Sequence, residues 1–130
     1  CVFSNNATLG GHCVIGSRVV IGGLTALHQF CRMGDGSMVG GCAKVIQDVL
    51  PYMIADGHPA IHRAINKVGM ERSGFTVEQV ALVKRIYKLF FRGTLNHGQA
   101  LEVLESGSLG NDPIVQECIA FVKASQRGFA

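Results

Sequence analysis

Between Phe3 and Val49 apolar and small residues recur every six positions. Phe3, Leu9, Ile15, Ile21, Leu27, Met33, Val39 and Val45 form one series. Ala7, Cys13, Val19, Thr25, Cys31, Ser37, Ala43 and Val49, each four places later, form a second. Glycine follows the first series at Gly10, Gly16, Gly22, Gly34 and Gly40. Such a period fits neither a helix nor simple strand alternation. It predicts a parallel β-helix, in which short strands meet at corners and stack coil on coil. The glycines are expected at the corners because they take positive φ without a Cβ clash. The repeat is expected to end at Asp48-Val49-Leu50-Pro51, since proline lacks the N–H of a further coil.

The pattern changes after that. Residues 51–74 have no clean period and carry Gly57, Pro59, Gly69 and Gly74. They read as a crossing segment with room for a short helix. From Phe75 the period becomes helical. Thr76 is the expected N-cap and Gln79 completes a capping box, with Phe75 and Val80 as a hydrophobic staple. This helix is expected to run to about Arg92 and to bury Val80, Val83, Ile86, Tyr87 and Phe90, with Gly93 stopping it. Asn96 starts a second helix, Gly98–Glu105. Asp112-Pro113 starts a third, to about Gln126, with Ile114, Cys118, Phe121 and Val122 inward. Short connections favour antiparallel neighbours. The expected parts are therefore β-helix coils at 1–50, a crossing segment at 51–74 and three helices at 75–130. The helical part would be marginal alone and is expected to dock on the coils.

Composition narrows the classes. The 130 residues are 48% hydrophobic, enough for a core. No apolar run approaches the ~20 residues of a membrane span, so no membrane insertion is expected. A net charge of +3, with no basic patch interleaved with aromatics, argues against nucleic acid. The chain opens on Cys1 and shows no signal peptide, which reads as a portion whose natural start lies upstream, in a cytoplasmic protein. The five cysteines form no CxxC pair. They read as free thiols of a reducing compartment, with metal or redox chemistry as the alternative.

The repeat resembles the left-handed hexapeptide β-helix of acyl- and acetyltransferases, in which three six-residue faces make one triangular coil. On that pattern residues eighteen apart stack at the ~4.8 Å strand spacing. His28 stands where five other units of the repeat have glycine, and His12, in Leu9-Gly10-Gly11-His12, falls in the unit stacked below. Both histidines then reach one lateral groove beside Gly11 and Gln29. The alternative reading of each is plain surface.

The segments Asn5-Asn6-Ala7-Thr8-Leu9-Gly10-Gly11-His12, Gly22-Gly23-Leu24-Thr25-Ala26-Leu27-His28-Gln29-Phe30 and Val39-Gly40-Gly41-Cys42 are similar to the UDP-N-acetylglucosamine O-acyltransferase family of lipid A biosynthesis. So are Gln47-Asp48-Val49 and Arg72-Ser73-Gly74-Phe75. The resemblance implies a homotrimer with each active site between neighbouring β-helices. It implies transfer of a 3-hydroxyacyl chain from acyl carrier protein to the 3-hydroxyl of UDP-GlcNAc, without a cofactor or metal. Such chemistry uses a general base and an oxyanion donor.

The resemblance assigns the oxyanion donor to the Gly11 amide and places His12 in the catalytic site. His28 lines the sugar and acyl site, and Gln29 lies on the nucleotide side. Asn66 and Arg72 fall on uridine and phosphate positions, with a loop cap or surface charge as their alternative roles. Gly41 falls near the acyl-chain cleft. Lys44, Arg63, Lys67, Lys84, Arg85 and Lys88 are candidates to face the acidic carrier protein.

Three departures from the family pattern stand out. Its base histidine lies in a coil before residue 1, so this chain alone is expected to be inactive. Val68 and Ser73 replace a frequent glutamate and a second arginine. His58-Pro59 replaces the usual acyl-ruler residues. The rival readings are another hexapeptide acyl- or acetyltransferase, a zinc enzyme of the γ-carbonic anhydrase type using His12, His28, His58 or His62, and a non-catalytic trimeric scaffold.

Overall fold

The computed structural model describes residues 1–107, 110–125 and 128–129. The chain forms a left-handed parallel β-helix followed by a helical unit. Eight two-residue strands make three faces. On one face β1 (Val2–Phe3), β4 (Val20–Ile21) and β7 (Met38–Val39) stack in parallel. On the second, β2 (Thr8–Leu9), β5 (Ala26–Leu27) and β8 (Lys44–Val45) do the same. The third holds β3 (Val14–Ile15) and β6 (Arg32–Met33). Every pairing joins residues eighteen apart, as in Val2 with Val20 and Val14 with Arg32.

Both repeated series point inward. Ile21, Leu27, Met33, Val39 and Val45 are buried, and so are Val19, Thr25, Cys31, Ser37, Ala43 and Val49. The buried hydroxyls are satisfied within the coils. Thr25 donates to the Gly40 carbonyl at 2.6 Å and Ser37 to the Gly34 carbonyl at 2.7 Å.

The corners differ from expectation in their use of glycine. Positive φ falls two residues after the glycines, on Asn6, His12, Arg18, Leu24, Phe30, Gly36 and Cys42, of which only one is glycine. Four of these residues each donate their N–H to the corner carbonyl of the coil below. Leu24 donates to Asn5, Phe30 to Gly11, Gly36 to Ser17 and Cys42 to Gly23, at 2.8–3.0 Å. Those coil-to-coil bonds hold side-chain-bearing residues in a conformation that ordinarily costs about 1–2 kcal/mol. The glycines answer a different demand, close approach. A Cβ on Gly10 would lie 2.5 Å from the Gln29 nitrogen, and one on Gly22 would lie 2.5 Å from the Gly41 nitrogen.

The stack also runs past Pro51. Met33 bridges to Val49, and β7 pairs in parallel with β9 (Met53–Gly57), joining Met38 to Ile54. The Tyr52 N–H donates to the Asp35 carbonyl at 2.9 Å, as Gly36 does to Ser17. Pro51 thus occupies the corner position of Ser17 and Asp35, whose N–H makes no backbone bond to the next coil. Proline there forfeits nothing. This last coil is two residues short: Leu27 pairs with Val45, but Met33 already meets Val49.

Residues 51–74, without a period in the sequence, hold a β-hairpin as well as a short helix. Strand β9 turns at the cis His58-Pro59 bond into antiparallel β10 (Ala60–Ile65). Among the described residues four helices follow: α1 (Lys67–Arg72), α2 (Val77–Phe91), α3 (His97–Ser106) and α4 (Pro113–Ala124). Thr76 and Asn96 each close a capping box, with Gln79 and Gln99, and Asp112 caps Ile114. The expected end of the last helix at Gln126 lies outside the described residues. Helix α2 packs on α3, and α3 on α4. Their apolar faces share one core with Leu50, Tyr52 and Met53 of the last coil. Among the described residues no helix is long and apolar enough to cross a membrane.

Two glycines separate crowding from backbone freedom. Gly22→Ala should lower stability by about 1–3 kcal/mol in urea melts, because backbone on the next coil cannot yield. Gly11→Ala, with no atom within 4 Å of the added Cβ, should stay within about 0.5 kcal/mol of the parent.

Candidate active site

One corner of the solenoid collects the two histidines. It follows β2 as Gly10-Gly11-His12 and β5 as His28-Gln29-Phe30, stacked one above the other. His12 has φ 59°, so its side chain projects outward from the corner, and its ring stacks on Phe30 with centroids 5.1 Å apart and planes 19° apart. Phe30 is a partner of His12 that no motif assigns to the site. Its signal was the eighteen-residue spacing from His12.

His28 is exposed, and its main-chain N–H donates to the Val45 carbonyl at 2.8 Å. Its Nδ1 lies 3.0 Å from the Gln29 carbonyl, which can only accept. A hydrogen bond there is donated by the Nδ1–H. Gly11 gives its carbonyl to the Phe30 N–H at 3.0 Å. Its own N–H has no backbone acceptor among the described residues. At the equivalent position the Ser17 N–H donates to Asp35 Oδ1 at 2.8 Å, so an amide here can serve an anionic oxygen.

The other candidates lie elsewhere on this chain. Gly41 stands at a second corner, over Gly23, and a Cβ there would meet the Gly23 carbonyl at an ordinary 3.4 Å. His58 approaches that corner through a hydrogen bond between Nε2 and the Cys42 carbonyl. Asn66 is only 8% exposed and is committed to structure. It donates to the Gly36 carbonyl at 2.9 Å and accepts from the Gly69 N–H at 3.1 Å, capping α1 against the third corner. Arg72, in the last turn of α1, is exposed, and among the described residues it forms no ion pair. His62 is buried, stacked on Phe91 at 4.1 Å, and its Nε2 accepts from the Leu50 N–H. Among the described residues no three or more His, Cys, Asp or Glu side chains are grouped to hold a metal ion. Among the described residues no disulfide joins the cysteines, and Cys31 and Cys118 are buried.

Fold and corner together define a β-helix protein with an outward-facing histidine pair and a helical cap. A family model described as "Udp N-acetylglucosamine O-acyltransferase; Domain 2" matches residues 48–130. The acyl-[acyl-carrier-protein]–UDP-N-acetylglucosamine O-acyltransferase of Anaeromyxobacter dehalogenans is 42% identical over 127 residues, 98% of this chain and 49% of that protein. The enzyme of that name from Thiobacillus denitrificans is 36% identical over 129 residues, with the same coverage. The crystal structure of UDP-N-acetylglucosamine O-acyltransferase from Moraxella catarrhalis superposes with a TM-score of 0.92 at 38% identity, covering 98% of this chain and 49% of that one. That of the Arabidopsis UDP-N-acetylglucosamine acyltransferase gives 0.91 at 31%, covering 98% and 48%. The chain belongs to the UDP-N-acetylglucosamine O-acyltransferase family. It spans about half the length of the curated relatives it matches.

The capping role of Asn66 has a direct check. Asn66→Ala should cost about 1–2 kcal/mol in a denaturant melt and fray α1 in hydrogen exchange, since a helix cap is lost. A residue that only touched a ligand would leave both unchanged.

Proposed function

We propose that this chain supplies part of the cleft of an enzyme that transfers a 3-hydroxyacyl chain from acyl carrier protein to the 3-hydroxyl of UDP-GlcNAc. The reading rests on one observation above the others: the Gly11 amide, unused by the stack, lies beside His12 and below His28 on one corner. The sugar oxygen attacks the thioester carbonyl as a base takes its proton. The resulting oxyanion is stabilised by the Gly11 N–H, a donor of a kind worth about 3–4 kcal/mol. Collapse expels the carrier thiolate, which takes up the proton. The thioester itself is the activated donor, and the reaction calls for no cofactor. The open space where a Gly11 Cβ would stand leaves room for the acyl group.

In this reading His12 and His28 present imidazole nitrogens to the sugar and the thioester, and Gln29 lies on the nucleotide side. Arg72 takes the diphosphate, for which a planar guanidinium is suited. Asn66 fixes the helix that carries Arg72 and so acts by positioning it. Gly41, on another corner, lies toward the acyl chain. One chain holds these parts at separate places, which fits a cleft between neighbouring solenoids of a homotrimer. The base comes from a coil preceding residue 1 in the family pattern, and no residue of this chain is given that role. Arg63, Lys84, Arg85, Lys88 and Arg92 line a groove of about 740 Å³ floored by Ile65 and Leu89. A cationic rim over an apolar floor suits the acidic carrier protein.

Light scattering with calorimetric titration of UDP-GlcNAc tests the reading. The expected result is a trimer that binds the nucleotide sugar and loses about tenfold or more in affinity in Arg72→Ala, about 1.4 kcal/mol. A trimer that binds nothing would leave a scaffold. Acyl transfer by this chain alone would overturn the assignment of the base to a preceding coil.

A further inference from the structure

Three imidazoles of this chain are oriented by hydrogen bonds to the main chain. His28 Nδ1 lies 3.0 Å from the Gln29 carbonyl, His58 Nε2 bonds to the Cys42 carbonyl, and His62 Nε2 accepts from the Leu50 N–H at 3.0 Å. Among the described residues no such bond reaches either ring nitrogen of His12. A ring orients it instead. Phe30 stacks on the imidazole with centroids 5.1 Å apart and planes 19° apart. The two residues share a left-handed backbone, with φ 59° and 66°, on successive coils. Their side chains therefore leave the corner in the same direction, one strand spacing of about 4.8 Å apart, and the rings lie face to face.

Phe30 grips this corner twice. Its N–H donates to the Gly11 carbonyl at 3.0 Å, which fixes the Gly11–His12 peptide, while its ring fixes the His12 side chain. The other corners stack Asn6 under Leu24 and Arg18 under Gly36, and among the described residues no ring pair forms between them. The ring ladder thus occurs at the corner that carries the histidines. We propose that Phe30 is the positioning residue of His12. Hydrogen bonds to an imidazole lie in the plane of its ring, so a stack that sets the plane sets the directions in which both nitrogens can bond. It covers one face and leaves the nitrogen-bearing edge open. An exposed imidazole without that support must be ordered by the ligand, at a cost in affinity. The ligand in question is the nucleotide sugar of the functional reading above, on which this role rests. The stack itself does not depend on that reading.

Two measurements test the proposal, and two substitutions have precedent in this fold. Leu24 and Tyr52 already occupy equivalent corner positions with φ 58° and 62°, so Phe30→Leu and Phe30→Tyr should both fold. In proton–carbon NMR spectra without ligand, the ring face of Phe30 should shield the His12 ring protons. Their signals should move downfield in Phe30→Leu and stay near the parent position in Phe30→Tyr. In calorimetry, Phe30→Leu should weaken UDP-GlcNAc binding about two- to tenfold, the worth of an aromatic pair, and Phe30→Tyr should restore it. In a His12→Ala background Phe30→Leu should make no further difference, because the two residues act through one contact. Unmoved His12 signals in Phe30→Leu overturn the stack. Undiminished binding in Phe30→Leu, or an equal loss with and without His12, overturns the positioning role alone. A parent chain that binds no UDP-GlcNAc overturns the functional reading and with it this role, while the NMR signals still report the stack.

Discussion

The hydrogen bond from each left-handed corner residue to the carbonyl of the coil beneath governs the remaining geometry. It brings successive backbones so close that a Cβ at Gly10, Gly16, Gly22 or Gly34 would lie about 2.4–2.5 Å from an atom of the next coil. It also returns corner residues to the same lateral position every eighteen residues, and turns the unused amide of the preceding residue outward. Side chains at the corners consequently need no glycine-like backbone. They need a partner carbonyl below, and the stack provides one.

That rule explains why the candidate chemistry sits where the coil is imperfect. The last coil drops two residues between Val45 and Val49, and the corner beneath it is the one where histidine replaces glycine. The Phe30 ring, held by the next left-handed residue, then stacks on His12. A histidine pair thus comes from stacking geometry, with no loop built to carry it.

The helical unit is fixed to the solenoid by a shared apolar core and by polar ties. Leu50, Tyr52 and Met53 leave the coil and enter the helical core, so the two parts have no dry boundary between them. Helix α4 adds contacts through Glu117, Phe121 and Ser125, while Asn66 pins α1 to Gly36. Arg72 therefore rides on a short helix whose start is anchored to a corner of the solenoid.

The inward series, the stacking interval and the helix caps at Thr76, Asn96 and Asp112 were all legible in the sequence, because each depends on residue type at a fixed local spacing. The hairpin at 53–65 was not, because its register is set by pairing with Met38 and Val39 and its own strands lack alternation. Pro51 misled for a similar reason: whether a missing N–H matters depends on the neighbouring coil, and here that N–H has no axial use. Asn66 showed its residue type but not its burial. Only folding decided that its amide would be spent on Gly36 and Gly69, that Phe30 would cover His12, and that Glu117 would reach the Tyr52 hydroxyl. Sequence alone determined the coil and its histidine corner, since a short-range period dictates them. Contacts between distant segments arise from packing the whole chain, and these only the tertiary structure settled.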